Sequence, residues 1–314
     1  MTRGTAVYIV QRLVLILFTT LAVSSIVFIG VHSLPGDAFL NERRSNPQAQ
    51  AAKLHHYHLD LPLPQQYVLW LSGVVRGDLG ESLKNPGQEV TPLLLREARN
   101  SLVLGGAAML VVVGLGMSAG VIAALRQNTW VDYAASTAAV IGYSTPPFVT
   151  ATLFILLTVT GFYNWTGGAI YEDIGWGKPE QVPVPAIALG IFYAAIIARL
   201  TRASMLETIR QDYVRTAWAK GLKAQVVVLK HALRNALIPV VTILGPLTAG
   251  IITGSVVIEN IFGVPGLGKE FYTSILVRDY PITIGVFTFY AALVGLVNLA
   301  VDLVYPILDP RIRY

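Results

Sequence analysis

Two short runs in this sequence have residue types and spacing that could do chemistry. His55, His56 and His58 with Asp60 spell H-H-x-H-x-D. On a helix His55 and His58 share a face, and imidazole with carboxylate suits nickel or zinc. Ligand spacing by itself favours the plainer reading, a solvated loop that happens to be rich in histidine, so His55, His58 and Asp60 stand as the candidate metal ligands. Gly263 to Glu270, G-V-P-G-L-G-K-E, approaches a phosphate-binding loop. Glu270 occupies the place of the hydroxyl that would hold magnesium, and no buried strand precedes it. The expectation there is a turn that closes the fifth long apolar helix, with no nucleotide site and no cofactor in this chain. With no cysteine in its 314 residues, the chain has no disulfide, thiolate metal site or cysteine nucleophile.

The elements that carry these runs follow from where charge is missing. Only 13% of residues are charged and 54% are hydrophobic, about half the charge of a soluble domain. The deficit gathers into six uncharged windows: 13–36, 100–125, 133–171, 181–198, 235–258 and 280–301. A bilayer-spanning helix needs about 20 apolar residues, so each window predicts one crossing. The 39-residue window predicts a single helix over about 133–160, followed by a polar loop, because Gly161, Asn164, Gly167 and Gly168 break its second half. The windows are continuously apolar, whereas membrane barrel strands alternate. The first window exceeds the usual length of a secretory signal core and no A-x-A-like site follows it; the expectation is a retained helix.

Counting Lys and Arg with the N-terminus inside puts 13 of 23 in the cytoplasm. Seven of the other ten fall in the long 37–99 segment, which is poor orientation evidence, and the remaining ratio is 13 to 3. The positive-inside rule then predicts six crossings with both termini cytoplasmic. No window holds Asp or Glu, and His32 at a window end is the one histidine within reach. That pattern argues against an intramembrane enzyme and against a proton- or sodium-driven carrier. Arg12, Arg199, Glu259 and Asp302 sit at window ends, where side chains snorkel, and Asp302 is expected to pair with the terminal Arg311 and Arg313.

The predicted organisation is an N-terminal segment with the first crossing (1–36), an extracytoplasmic loop of short helices (37–99) and a five-helix core (100–314) containing a basic cytoplasmic loop (199–235). In the outer loop, Thr91-Pro92 reads as an N-cap followed by Pro at the first helical position. In the basic loop, eight cations face Glu207 and Asp212, and two short helices fit, near 213–221 and 225–237. Gly221 is the break between them and Pro239 opens the fifth crossing. Charge alone makes this loop a segment lying on anionic lipid. Gly116-x-x-x-Gly120 and Gly250-x-x-x-Gly254 would permit close helix approach. Thr145, Pro146 and Pro147 in the third crossing, and Gly245, Pro246 and Thr248 in the fifth, mark kinks of the kind that line a pathway or gate.

The basic loop carries a resemblance. Asp212-Tyr-Val-Arg-Thr-Ala-Trp-Ala-Lys-Gly221-Leu222, followed by His231-Ala-Leu-Arg-Asn-Ala-Leu-Ile-Pro239, resembles the cytoplasmic loop of B-type permease subunits of oligopeptide, dipeptide and nickel ABC importers. Leu61-Pro-Leu-Pro64 with Trp70, Gly77-Asp-Leu-Gly-Glu-Ser82, Glu259-Asn-Ile-Phe262 with Pro265-Gly-Leu-Gly268, Arg278-Asp-Tyr-Pro281 and the terminal Leu308-Asp-Pro-Arg-Ile-Arg-Tyr314 extend it nearly end to end. The resemblance implies an all-α, six-helix type I importer subunit in a bacterial or archaeal cytoplasmic membrane. It implies a second, C-type permease, two ATPase subunits holding ATP and magnesium, an extracytoplasmic substrate-binding protein, a peptide substrate, and no nucleic acid. Nickel, glutathione or a short oligosaccharide are the alternative substrates. Tyr213, Arg215, Thr216, Ala217, Trp218, Lys220 and Gly221 would form the helix that docks on the ATPase. Arg215-Thr216-Ala217 stands where the general importer pattern begins Glu-Ala-Ala, as in peptide-type members. Trp218 stands where those members more often have Arg, so the partner groove is expected to receive a ring.

Overall fold

The computed structural model describes residues 3–33, 47–166 and 175–308. Its regular structure is helical, and among the described residues the only strand-like pairing is an isolated bridge, Glu81 to Glu89. In chain order the helices discussed below are α1 (Arg3–Ser33), α2 (Pro47–His56), α3 (Leu63–Val75), α4 (Val90–Leu125), α5 (Trp130–Ser144), α6 (Pro147–Ile155), α7 (Pro183–Ile209), α8 (Asp212–Ala219), α9 (Ala224–Ile252), α10 (Val256–Phe262), α11 (Leu267–Val277) and α12 (Tyr280–Leu308). Among the described residues five helices are long and apolar enough to cross a membrane, and the α5–α6 pair makes a sixth if it is one broken span.

Several expectations change. The helix expected over 133–160 is two helices bent by 105°. Thr145 and Pro146 each precede a proline, which drives a residue out of the helical region, and their ψ angles of 125° and 141° are extended. A lone proline does less. Pro239 does not open the fifth crossing: Pro239 and Pro246 both lie inside α9, which runs unbroken from the basic loop and absorbs the second short helix expected there. Each costs one backbone bond, a loss membrane helices tolerate, and a π-wound stretch at Val227–Leu233 precedes Pro239.

Thr91 is no N-cap, because α4 starts at Val90. Its hydroxyl instead donates to Gly77 O (2.8 Å) and accepts from Leu79 N (3.1 Å). Gly254 lies beyond the end of α9, so Gly250 and Gly254 make no packing pair. Of Gly263 to Glu270, only Gly263–Gly266 form a turn, between α10 and α11 rather than at the end of the fifth span, with Gly263 as the left-handed cap (φ +69°), and Leu267 to Glu270 begin α11. Arg311, Arg313, Gly167 and Gly168 lie outside the described residues.

The described residues form two compact units, 1–100 with 266–296 and 101–265 with 297–314. In the first, Leu79, Val90, Leu93, Leu94, Leu267, Ile282 and Val286 make one apolar core, and Phe28, Leu83, Tyr280 and Ile284 another. Asp279, 1% exposed, fastens the 82–84 turn to the start of α12. It accepts from the Ser82 hydroxyl and from the backbone N–H of Leu83 and Lys84 (both 3.2 Å). The Gly87 N–H donates to Glu81 and holds that carboxyl below its usual range, while burial raises Glu270 in α11.

In the second unit α7 is the centre, packed against α4, α5, α6 and α9. Small residues permit this. A Cβ at Gly120 would lie 2.5 Å from Ala198 O and one at Gly116 would lie 2.8 Å from Ala194 O, so this glycine pair admits the α7 backbone directly. Leu104, Ala108, Val112, Leu189, Ile197, Val240 and Ile251 fill the core around that seam.

Candidate functional site

The basic loop folds into one short helix held between two spans. α7 ends at Ile209, Gln211 is extended (ψ 147°), and α8 starts at Asp212. Its first turn is closed by Val214 N and Arg215 N donating to Gln211 O (3.0 and 3.1 Å). At the other end Gly221 adopts φ +73°. Gly221 N donates to Trp218 O (2.9 Å) and Leu222 N to Ala217 O (3.5 Å), the paired bonds of a left-handed helix stop. Glycine takes that backbone without the Cβ penalty, so α8 ends sharply.

α8 is amphipathic with a narrow apolar edge. Val214 (1% exposed) and Ala217 (5%) turn inward against Val227 of α9. The Tyr213 hydroxyl accepts from Asn235 Nδ2 at 2.8 Å, a second fastening to α9. Tyr213 (42% exposed) and Trp218 (46%) flank the inward edge, and Arg215, Thr216, Ala219 and Lys220 face out. The Arg215–Asp212 ion pair is long, at 3.8 Å, and exposed, so it adds little stability. Of the seven residues singled out from the sequence, Ala217 is thus inward and Val214 was missed. Its position at helical spacing from Ala217 was the available signal.

Behind α8 lies a clamp that spacing could not reveal. Asp132, 2% exposed, takes Arg202 Nε at 2.6 Å and Nη2 at 2.8 Å, and Asn128 N donates to it at 3.0 Å. This bidentate pair ties α5 to α7 across 70 positions of sequence. Removing Arg202 would strand a buried carboxylate, a loss of about 3–5 kcal/mol. Glu259 also departs from expectation. Instead of snorkelling it is fully buried, accepting from the Ser101 hydroxyl (2.8 Å) and from Ser255 N (3.3 Å).

Thr145, Pro146 and Pro147 sit together at the α5–α6 break, with the Thr145 hydroxyl donating to Ile141 O (2.7 Å). Gly245 is buried and Pro246 exposed within α9, and the Thr248 hydroxyl donates to Leu244 O (2.6 Å) beside Met109 Sδ (3.8 Å). His55 lies in the last turn of α2, His56 closes that helix and approaches the Glu81 carboxylate at 3.5 Å, and His58 takes a left-handed backbone (φ 55°). Among the described residues no group of three or more His, Asp or Glu could hold a metal ion, so His55, His58 and Asp60 are not brought together as ligands.

Residues 116–314 match the family described as binding-protein-dependent transport system inner membrane component. The chain belongs to this family. It is a multi-pass permease subunit of the inner membrane, with the helical type I importer fold. Relatives extend the match over the whole length. The chain is 42% identical over 306 residues to the dipeptide transport system permease protein DppB of Bacillus subtilis (strain 168), covering 98% of this chain and 97% of that protein. It is 39% identical over 309 residues to the oligopeptide transport system permease protein OppB of Escherichia coli (strain K12), covering 98% and 99%. A putative peptide permease protein of Brucella suis biovar 1 (strain 1330) is 37% identical over 314 residues, at 98% of each chain.

Proposed function

We propose that this permease is the B-type half of an ATP-driven importer for dipeptides and oligopeptides, with both termini cytoplasmic. The observation that carries the coupling role is α8: a short helix pinned on its inner edge to α9, joined directly to α7, and presenting polar and aromatic side chains outward. A rigid helix on two spans converts closure of an ATPase pair into rocking of the bundle, where a flexible loop would lose the stroke. Tyr213, Arg215, Thr216, Trp218 and Lys220 contact the ATPase, while Ala217 and Gly221 set the helix in place. The α5–α6 break at Thr145, Pro146 and Pro147 and the Gly245, Pro246 and Thr248 stretch of α9 line the path of the solute. ATP and magnesium are held by two ATPase subunits and not by this chain. A C-type permease completes the path and an extracytoplasmic binding protein delivers the solute. The substrate class rests on the names of the relatives, and nickel, glutathione and oligosaccharide are its competitors.

Uptake into proteoliposomes containing the complete complex tests the reading. Labelled dipeptide accumulates only with ATP inside the cytoplasmic compartment and loaded binding protein outside. Nickel or glutathione uptake without peptide uptake would overturn the substrate, and peptide uptake independent of ATP would overturn the mechanism.

A further inference from the structure

Helix α3 is built unlike a water-facing helix. Its thirteen residues, L-P-Q-Q-Y-V-L-W-L-S-G-V-V, include no charge, and none of them is buried within the protein. Val68 (64% exposed) and Val75 (83%) share an exposed face. Two of its polar side chains are bonded locally, while the Trp70 indole N–H has no partner among the described residues and Gln65 is exposed. Ser72 donates to Leu69 O (2.7 Å), and Gln66 Nε2 donates to Leu61 O (2.8 Å) and Leu59 O (3.3 Å). The backbone ends are closed as well. Pro64 has no N–H to satisfy, and Gln65 N and Gln66 N donate to Pro62 O (2.8 and 3.2 Å). At the other end Arg76 N, Gly77 N and Asp78 N donate to Gly73 O or Val74 O (2.8–3.0 Å). A helix without charge that exposes branched apolar side chains beside a spanning helix is suited to the membrane interface.

Its attachment fixes a depth. The Tyr67 hydroxyl meets Ser25 Oγ of α1 at 2.6 Å, and the Tyr67 and Trp70 rings lie against Phe28 (5.2 and 5.8 Å between centroids). Ser25 is eight residues before the end of α1 at Ser33, about 12 Å along the axis at 1.5 Å per residue. The apolar span of α1 starts after Arg12, and about 20 residues beyond it, the length of a crossing, is His32. Ser25 therefore lies inside the hydrocarbon layer. The Tyr67 hydroxyl bonded to Ser25 thus reaches below the edge of that layer, which seats α3 as an interfacial helix. On α1 itself, Ile26 (70% exposed) and Ile29 are apolar and exposed, as expected of a span that meets lipid.

We infer that α3 is seated in the bilayer boundary at the C-terminal end of α1, with Val68 and Val75 turned to lipid acyl chains. Residues 63–75 are then a membrane-embedded part of the segment that the sequence placed wholly outside, and they anchor the outer layer of the first unit to lipid through the Ser25–Tyr67 and Phe28–Trp70 contacts.

The absence of cysteine from this chain gives a direct test. Val68→Cys and Asn85→Cys are each labelled with an environment-sensitive NBD fluorophore in the full transport complex in phosphatidylcholine nanodiscs. The signal of the unsubstituted complex, treated identically, is subtracted. Lipid carrying a doxyl group at carbon 5 quenches the Val68 probe about threefold more than the Asn85 probe, and aqueous iodide does the reverse, as expected for an interfacial helix. Iodide quenching of Val68 equal to that of Asn85 would place α3 in water. Protection of Val68 from both quenchers would place a protein partner on this face. Either result overturns the inference.

Discussion

Helices α8 and α3 are both short, both lie beside spans, and both are two-faced, yet their faces are reversed. α8 turns Val214 and Ala217 inward and leaves Arg215, Thr216 and Lys220 outside. α3 spends the polar atoms of Gln66 and Tyr67 on Leu61 and on Ser25 of α1 and leaves Val68 and Val75 outside. Helix propensity does not explain the difference, since each segment forms a stable helix with good end closure. The medium does. A helix that meets water and a protein groove keeps its charges out, and one that meets lipid keeps them away.

Equivalent substitutions on the two helices should therefore act in opposite ways. The largest effect is expected for Val214→Asp, which buries an unpaired carboxylate against Val227 at a cost of about 3 kcal/mol. Hydrogen exchange over 212–222 should rise and uptake collapse, with membrane insertion unchanged. Val68→Asp, the matching change on α3, should cost about 2 kcal/mol of lipid seating. It should open a probe at Val75 to iodide while leaving exchange in α8 untouched. Gly221→Val forces a branched residue into φ +73° and should cost about 1–2 kcal/mol, fraying the end of α8 in the exchange profile. Tyr213→Phe removes only the bond from Asn235 and should cost about 1 kcal/mol or less, read as slightly faster exchange in the first turn. If Val214→Asp and Val68→Asp behaved alike, the reversal of faces would carry no consequence.

The crossings and the basic loop were legible because charge is excluded from lipid residue by residue, so the windows could be found by counting. Proline was only half legible. Thr145-Pro146-Pro147 and Gly245-Pro246 looked equivalent as kinks, but two successive prolines push two residues into extended backbone while one costs a single bond. The α8 outline was visible in its residues, and the Schellman-type stop at Gly221 agrees with the break expected there. The Asp132–Arg202 clamp and the burial of Glu259 with Ser101 were not visible. Their partners are 70 and 158 positions apart, and no periodicity links residues that meet only after helices pack. Residues 63–75 were missed as membrane-embedded for a different reason. The helix is shorter than a crossing, and its proline and glutamines read as loop chemistry until the Tyr67 bond to Ser25 of α1 is seen.

The coupling role of α8 can be tested by contact. A benzophenone cross-linker attached at Ala219→Cys, on the outward face of α8, should capture an ATPase subunit in the assembled complex. The same cross-linker at Asn85→Cys, on the exposed turn before α4, should not. An α8 probe that captures only lipid, or stays open to water throughout the transport cycle, would contradict the claim that this helix receives the stroke.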